Sequence, residues 1–148
     1  MAKYKIISNI NEENVIIKEY ISLQLSELVV LYELEGWGNY TKNIDLLIKA
    51  YANSLCIITA YHNQQLVGIC RCVGDGYFVV FIQDIIVKEE FRRNGIGKKL
   101  VEYVFEKYKK VRQKILICDD KEDLDLFYKS LGYKSIEEYK MKCFYKED

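Results

Sequence analysis

Two arginines and two glycines lie at the start of an amphipathic segment, in the stretch RRNGIGK that begins at Arg92. If a helix starts here, its first backbone N–H groups have no partner within the helix, and the positive end of the helix dipole lies behind them. Gly95 and Gly97 have no Cβ atom, so a large anion can approach the backbone closely. Arg92, Arg93 and Lys98 can add charge-assisted hydrogen bonds. These residues therefore predict a site for a phosphate or pyrophosphate.

The motif is short, and a second interpretation exists for it. A tight turn from strand to helix needs only Gly95, with both arginines in solvent. The stretch also differs from the phosphate loop G-x-x-x-x-G-K-[ST] and from the three-glycine dinucleotide motif, so it does not favour an ATPase or a Rossmann domain. The choice between an anion site and a simple turn therefore depends on the surrounding elements.

The hydrophobic pattern predicts the elements that would position this loop. Before the loop, strands are predicted over residues 55–61, 66–73 and 77–87, separated by polar turns, which indicates an antiparallel meander. After it, residues 96–108 have the apolar spacing of a helix, and residues 114–118 that of a strand. A strand, a helix and a strand after a meander indicate a mixed α/β sheet with one parallel crossover.

The part of the chain before the meander predicts two helices. Residues 26–35 have helical apolar spacing, with the serine at their start as N-cap and Gly36 as the stop, and a second helix is predicted over residues 43–53. Residues 4–8 predict a strand. Residues 9–20 fit either a strand or the start of a helix.

The last part of the chain predicts one more helix and one more strand. Asp119 or Asp120 would cap the helix, and Gly132 would end it. Residues 140–145 predict a last strand, which could pair across a two-fold axis in a homodimer, although nothing in the sequence requires this. Because the chain has no repeat, no flexible linker and no proline, residues 1–148 are predicted to form a single domain.

The composition limits the class of protein. Lysine plus arginine balances aspartate plus glutamate at 22 each, so no global basic field favours nucleic acid or an anionic membrane as a partner. The sequence has neither a signal peptide nor an apolar run of about 20 residues, which predicts a soluble, cytoplasmic protein. Five cysteines without C-x-x-C spacing and a single histidine predict reduced, buried thiols and no metal site.

In this context the loop resembles a known signature. The segment IQDIIVKEEFRRNGIGKKLVEYV is similar to the acyl-CoA signature of the GNAT superfamily of N-acetyltransferases, [Q/R]-x-x-G-x-[G/A] between a central strand and a long helix. The segment LFYKSLGY, residues 126–133, resembles a later helix motif of the same superfamily, and the order of elements from about residue 23 to residue 145 fits as well. The resemblance implies the α/β fold of acyl-CoA N-acyltransferases, with a central, mostly antiparallel sheet flanked by helices.

The resemblance also implies acetyl-CoA as cosubstrate and no metal. The pyrophosphate would be bound by the loop residues Arg92, Arg93, Asn94, Gly95, Ile96, Gly97 and Lys98. The backbone of Ile86 and Val87 would pair with the pantetheine arm like an added strand, and Asp120 stands where relatives often carry an asparagine that contacts the cofactor. The polar pair Gln83 and Asp84 would mark a β-bulge in the central strand.

Acetyl transfer to an amine needs a neutral amine, a polarised thioester carbonyl and a proton for the departing thiolate. By resemblance, Tyr128 would give a proton to the CoA sulfur, and a main-chain N–H near Ile86 would polarise the carbonyl. Asp84 is the only carboxylate within the central strand and is a candidate base. Three alternatives stay open: the side chain of Asp84 faces the wrong side of the sheet, it satisfies backbone groups at the bulge, or water relayed to several acceptors takes the proton.

Trp37 and Tyr40 lie in the stretch GWGNYT after the first predicted helix, which resembles a segment of a bacterial GNAT subgroup. They would either wall an amine pocket, with a cation–π contact, or cap the core. The resulting hypothesis is an N-acetyltransferase that acetylates a primary amine of a small molecule by direct attack in a ternary complex. The alternatives are a CoA-sensing module without turnover and an acetyltransferase for protein N-termini or lysines.

Overall fold

The computed structural model describes residues 15–19 and 23–148. Its described strands form one sheet in the order β1-β2-β3-β4-β5. They are β1 (Val15–Glu19), β2 (Cys56–His62), β3 (Gln65–Gly74), β4 (Val79–Val87) and β5 (Gln113–Leu116). Strands β1 to β4 pair antiparallel with their neighbours, and β5 pairs parallel with β4. The predicted mixed, mostly antiparallel sheet is therefore confirmed. The strand predicted over residues 4–8 lies outside the described residues. Within residues 9–20, for which the sequence fits either a strand or the start of a helix, residues 15–19 form the strand β1.

The helices flank the strands in the predicted order. They are α1 (Leu25–Leu34), α2 (Gly38–Thr41), α3 (Ile44–Ala52), α4 (Ile96–Lys107) and α5 (Glu122–Ser130). The described residues up to Ile117 form one compact unit, which holds the sheet and α1 to α4, and Cys118–Asp148 form a second unit, which holds α5. No helix in the described part of the chain combines the length and the apolar character needed to cross a membrane.

Helices cover both faces of the sheet within the first unit. A Cβ atom at Gly68 would lie 3.5 Å from Leu100 of α4, so Gly68 faces that helix. Ile69 and Ile86 pack instead with the buried residues of α1 and α3. Because side chains alternate between the two faces of a strand, Asp84 lies on the same face of β4 as Ile86. The carboxylate of Asp84 is therefore directed towards α1 and α3.

The ends of α1 and α3 follow local signals. The side chain of Asn43 accepts a hydrogen bond from the N–H of Leu46 at 3.0 Å and caps α3. Gly36 adopts a φ of 75° just after α1, as expected of a glycine that ends a helix. However, α1 begins one residue before the predicted serine cap, with Gln24 at the N-cap position and no side-chain cap. The short helix α2 was not predicted, because residues 38–41 lie in a stretch with two glycines.

Two predictions for the last part of the chain are wrong. Lys121, rather than Asp119 or Asp120, is the N-cap residue of α5. The carboxylate of Asp119 is instead 2.9 Å from the Nζ atom of Lys121. Residues 140–145 form no strand. Lys140 has a φ of 56° and Phe144 is 91% exposed. Alternating apolar residues do not make a strand without a neighbour to complete the hydrogen-bond ladder.

The five cysteines are all free, but only three of them are buried. Burial raises the pKa of Cys56 to about 12, and a hydrogen bond with Cys72 together with burial raises that of Cys70. Cys118 and Cys143 are exposed, which corrects the prediction of buried thiols for these two.

This difference predicts the reactivity of the native protein. Iodoacetamide is expected to modify Cys118 and Cys143 in the folded chain, because alkylation needs an accessible thiolate, and to modify all five cysteines after denaturation. Intact mass measured over time checks this. The double variant Cys118→Ser/Cys143→Ser should take up no label while folded, and rapid labelling of that variant would contradict the buried positions.

Candidate active site at the open edge of the central strand

Half of β4 has an open edge. Its pairing with β3 runs from Val80 to Val87, but its pairing with β5 covers only Val79 to Ile82. From residue 83 to residue 87, no described strand pairs with β4 on the β5 side. Because β5 ends opposite Ile82, β4 continues for five residues without a described partner strand on that side, and its backbone groups there can pair with an added extended chain.

The register identifies which backbone groups face this edge. The N–H of Lys88 donates to the carbonyl of Val67 at 2.9 Å. Hydrogen-bonded pairs alternate in an antiparallel ladder, so Ile86, opposite Ile69, also bonds to β3. The N–H and carbonyl groups of Ile85 and Val87 point to the open edge. The backbone groups of Ile86, predicted with those of Val87 to pair with a pantetheine arm, thus point to β3, and those of Ile85 point to the open edge instead.

The predicted bulge is confirmed at the start of the open edge. The partners along β3 and β4 step from Arg71 with Asp84 to Cys72 with Ile82, so Gln83 is the extra residue. A bulge bends its strand and increases the local twist. The bulge lies where β5 ceases to pair with β4. The polar side chains of Gln83 and Asp84 both lie at this bend.

The loop before α4 has the backbone geometry of an anion site. Gly95 is the N-cap residue, with a φ of 77° and no side-chain cap. The first turn of α4 contains no acidic residue. The first backbone hydrogen bond of the helix runs from the N–H of Lys99 to the carbonyl of Gly95, at 3.0 Å. The N–H groups of the preceding helical residues, Ile96, Gly97 and Lys98, thus have no acceptor within the helix. The side chain of Ile96 is buried, so only its backbone can contact a ligand.

The charged and polar side chains of the loop have different roles. Arg92 donates from Nε to the carbonyl of Val87 at 2.8 Å and forms an ion pair with Glu35. It therefore holds the loop against β4 and α1, whereas the sequence predicted a phosphate contact. Asn94 donates to the carbonyls of two preceding loop residues and shapes the turn. Arg93 and Lys98 are exposed, and Lys98 forms an ion pair with Glu102 at 3.7 Å.

Asp84 is the centre of a buried polar cluster. Its side chain is 1% exposed, and its Oδ2 atom accepts from Arg71 Nε at 2.5 Å and from the Tyr32 hydroxyl at 2.8 Å. The hydroxyls of Tyr32 and Tyr51 are 2.9 Å apart. The Oδ1 atom of Asp84 is also buried, and it has no hydrogen-bond partner among the described residues. The side chain thus binds other side chains and does not satisfy the backbone of the bulge.

The surroundings of the cluster keep its guanidinium and its two hydroxyl groups protonated. Burial by itself would lower the pKa of Arg71, but the negative charge of Asp84 outweighs it, and the pKa is raised. Burial raises the pKa of Tyr32 and of Tyr51 well above the ordinary value. The guanidinium and both hydroxyls therefore keep their protons over the range in which an enzyme would operate.

The two aromatic residues predicted to bind an amine adjoin this cluster. The ring of Tyr40 lies 4.9 Å from that of Tyr32, and the ring of Trp37 lies 6.0 Å from it. Both are half-buried against the core, as the capping interpretation predicted. Tyr40 also reaches the cluster: its hydroxyl accepts from Gln83 Nε2 at 3.3 Å, and burial and the charge of Asp84 raise its pKa.

Tyr128 and Asp120, the other predicted site residues, belong to the second unit. Tyr128 is the buried residue of α5, and its ring lies 5.0 Å from Phe127 and 5.9 Å from Tyr133. Asp120 is exposed and precedes the helix. The structure therefore places Tyr128 on the predicted helix and Asp120 in the segment before it.

Sequence reasoning missed the partners of Asp84. Arg71 carried a usable signal, since it is a single charge within the apolar strand sequence ICRCV, and a buried charge usually has a partner. Tyr32 lies within residues 26–35, for which only a helix with apolar spacing was predicted. Tyr51 had no signal, because a tyrosine on a helix is compatible with a plain core position.

Comparison with known proteins agrees with this geometry. A family model described as an acetyltransferase (GNAT) domain matches residues 53–135. An uncharacterized N-acetyltransferase, ycf52, of Pyropia yezoensis is 27% identical over 124 residues, which cover 76% of this chain and 70% of the relative.

Solved structures show the same fold. A GNAT-family acetyltransferase of Streptococcus pneumoniae superposes with a TM-score of 0.81 at 29% identity, covering 90% of this chain and 98% of the other. An aminoglycoside N-acetyltransferase in complex with CoA has a TM-score of 0.69 at 19% identity, covering 93% of this chain and 97% of the other.

Proposed function

Since the chain belongs to the GNAT acetyltransferase family and is an acyltransferase, we propose that it transfers the acetyl group of acetyl-CoA to a primary amine of a small molecule, by direct attack in a ternary complex. The observation that carries this proposal is the open edge of β4 between the uncapped start of α4 and the buried carboxylate of Asp84. The family model spans residues of both compact units, which supports a single acetyltransferase domain over residues 1–148.

Acetyl-CoA is bound mainly by main-chain groups in this proposal. The N–H groups of Ile96, Gly97 and Lys98 hold the pyrophosphate, and Arg93 and Lys98 add positive charge. The open-edge groups of Ile85 and the N–H of Val87 pair with the pantetheine arm as an added strand would, since the carbonyl of Val87 already accepts from Arg92. Asp120 adds a contact by resemblance to the family.

The reaction forms one bond and breaks another. The amine nitrogen bonds to the carbonyl carbon while the N–H of Ile85, the free donor next to Asp84, polarises the carbonyl oxygen. The C–S bond then breaks, and Tyr128 gives its proton to the sulfur so that CoA leaves as a thiol. Asp84 Oδ1 accepts the hydrogen bond of the attacking amine and, with water, the proton that the nitrogen loses.

Tyr40 and Trp37 form the wall of the amine site in this proposal, because Tyr40 lies between the surface and the Asp84 cluster. A small amine is supported by the fold neighbours named as aminoglycoside acetyltransferases. The test is loss of thioester absorbance with a panel of small amines and with lysine peptides, followed by the mass of the product. Failure to consume acetyl-CoA with any amine would contradict the proposal, and a preference for peptides would change the substrate class.

Tyr128 gives a prediction of its own. Tyr128→Phe is expected to lower kcat by about 100-fold, because loss of a general acid costs about that much, while acetyl-CoA affinity stays unchanged. Tyr139→Phe, at an exposed position of the same unit, is the matched control and should keep full activity. Single-turnover kinetics and calorimetry check both variants. Equal kcat values for the two variants would assign Tyr128 a core role only.

A further inference from the structure

We propose that Tyr32 is a positioning residue for acetyl transfer: its hydroxyl, oriented by Tyr51, holds the Asp84 carboxylate so that Oδ1 is presented to the substrate amine. This inference rests on the proposed function, since it requires an amine beside Asp84. It assigns a role to a hydroxyl that contacts neither substrate nor cofactor.

The direction of hydrogen bonding in the cluster follows from the inventory of protons. An ionised carboxylate only accepts, so the single hydroxyl proton of Tyr32 must lie towards Asp84 Oδ2, 2.8 Å away. The contact between Tyr32 and Tyr51, 2.9 Å long, then needs the proton of Tyr51. Tyr51 therefore donates to Tyr32, and Tyr32 donates to Asp84, which gives the Tyr32 hydroxyl one defined orientation.

Two donors on one oxygen fix the carboxylate. Tyr32 approaches Oδ2 from α1, and Arg71 approaches the same atom from the neighbouring strand β3 at 2.5 Å. Since the carboxylate is planar, holding Oδ2 from two sides also sets the direction of Oδ1. The side chain of Arg71 is itself restrained by Ser54 and by the ring of Tyr51, at 3.4 and 5.4 Å.

The free oxygen points to a role beyond folding. A cluster that served only to join α1, α3 and the sheet would be expected to satisfy both oxygens, because a buried acceptor without a donor costs free energy. Asp84 Oδ1 is buried and lacks a donor within the described chain. The Tyr40 hydroxyl is bonded to exposed Gln83, and burial, the charge of Asp84 and hydrogen bonding with Asp84 raise the pKa of Tyr40, so this hydroxyl lies beside the carboxylate. The buried Oδ1 atom of Asp84 is thus an acceptor beside Tyr40, the residue proposed to form part of the wall of the amine site.

The experiment compares two identical substitutions. Tyr32→Phe removes the donor to Asp84, and Tyr103→Phe removes a similar hydroxyl donor, on α4, that bonds to the carboxylate of Glu19 at 3.0 Å. Both variants should lose some stability. Only Tyr32→Phe is expected to lower kcat, by about tenfold, with the Kd of acetyl-CoA unchanged, because the pyrophosphate loop does not depend on the cluster. Tyr51 is one hydrogen bond further from Asp84 than Tyr32 is, so Tyr51→Phe should lower kcat by a smaller factor.

The outcomes distinguish failure of the positioning role from failure of the proposed function. Active wild-type enzyme with equal kcat for Tyr32→Phe and Tyr103→Phe, each corrected for its folded fraction, would overturn this inference alone. A wild-type protein that acetylates no amine would overturn the proposed function, and this inference with it. If Tyr32→Phe does not fold, Tyr51→Phe decides the matter, since an unchanged kcat in that variant would also overturn the positioning role.

Discussion

Replacing Gly95 with aspartate is expected to weaken acetyl-CoA binding by about tenfold or more compared with replacing it with asparagine. Both residues tolerate the left-handed backbone that Gly95 adopts, with a φ of 77°, and they have nearly the same shape. They differ in charge. A carboxylate about 4 Å from a phosphate would repel it by roughly 1 to 4 kcal/mol, depending on solvent exposure.

Calorimetric titration of acetyl-CoA into the two Gly95 variants measures this difference. Gly132 supplies the matched control, because it also has a positive φ, 89°, and open space where a Cβ atom would lie, but it comes after α5. Aspartate and asparagine at Gly132 should bind acetyl-CoA alike. The difference at Gly95 should shrink at high salt. Equal Kd values for both Gly95 variants would mean that the glycine serves the turn only.

The second large effect is expected at Asp84. Asp84→Asn should lower kcat by about 100-fold or more while the Kd of acetyl-CoA is unchanged, because an amide cannot take up the proton that the amine loses. The substitution also leaves Arg71 buried without its negative partner, which costs stability of about 3 to 5 kcal/mol. The double variant Arg71→Met/Asp84→Asn removes both charges and keeps an acceptor for Tyr32, so it should fold better and remain as inactive.

Glu19→Gln is the control for this prediction. Glu19 resembles Asp84 in accepting from a tyrosine and a basic side chain, Tyr103 and Lys107, but it lies on β1. Steady-state kinetics should show near-normal kcat for Glu19→Gln. Full activity in the double variant would exclude Asp84 from the proton transfer and leave water as the base.

Most of the sheet could be predicted because β2 to β5 each carry their own signal, whereas β1 lies in a stretch that also fits a helix. The meander has apolar runs between turn residues, and the polar pair in β4 marked the bulge that the register confirms at Gln83. The last predicted strand, residues 140–145, failed because strand formation depends on a partner that local sequence does not name. The prediction of the α5 cap failed for a related reason: polar residues 119–121 precede the helix, and the local sequence does not fix a helix boundary to within one or two residues.

The site was only half predictable. Its loop and its central carboxylate follow from local patterns, since Gly95 and Asp84 stand out within their own segments. The partners of Asp84 come from distant parts of the chain, with Tyr32 separated from it by 52 residues. A single sequence contains no record of which distant side chains meet. The prediction that the backbone groups of Ile86 face the open edge was wrong for another reason: the bulge and the register decide which residues face that edge.

The ion pair between Arg92 and Glu35 joins the two proposed ligand sites. Arg92 belongs to the loop proposed to hold acetyl-CoA, and Glu35 directly precedes the glycine-flanked segment of Trp37 and Tyr40. A ligand that breaks or strengthens this pair at one site would change the affinity of the other site. Thermodynamic linkage requires that acetyl-CoA alter the affinity for the amine by the same factor as the amine alters that for acetyl-CoA. A half-exposed ion pair is worth less than about 1 kcal/mol, so this cooperativity amounts to about fivefold at most.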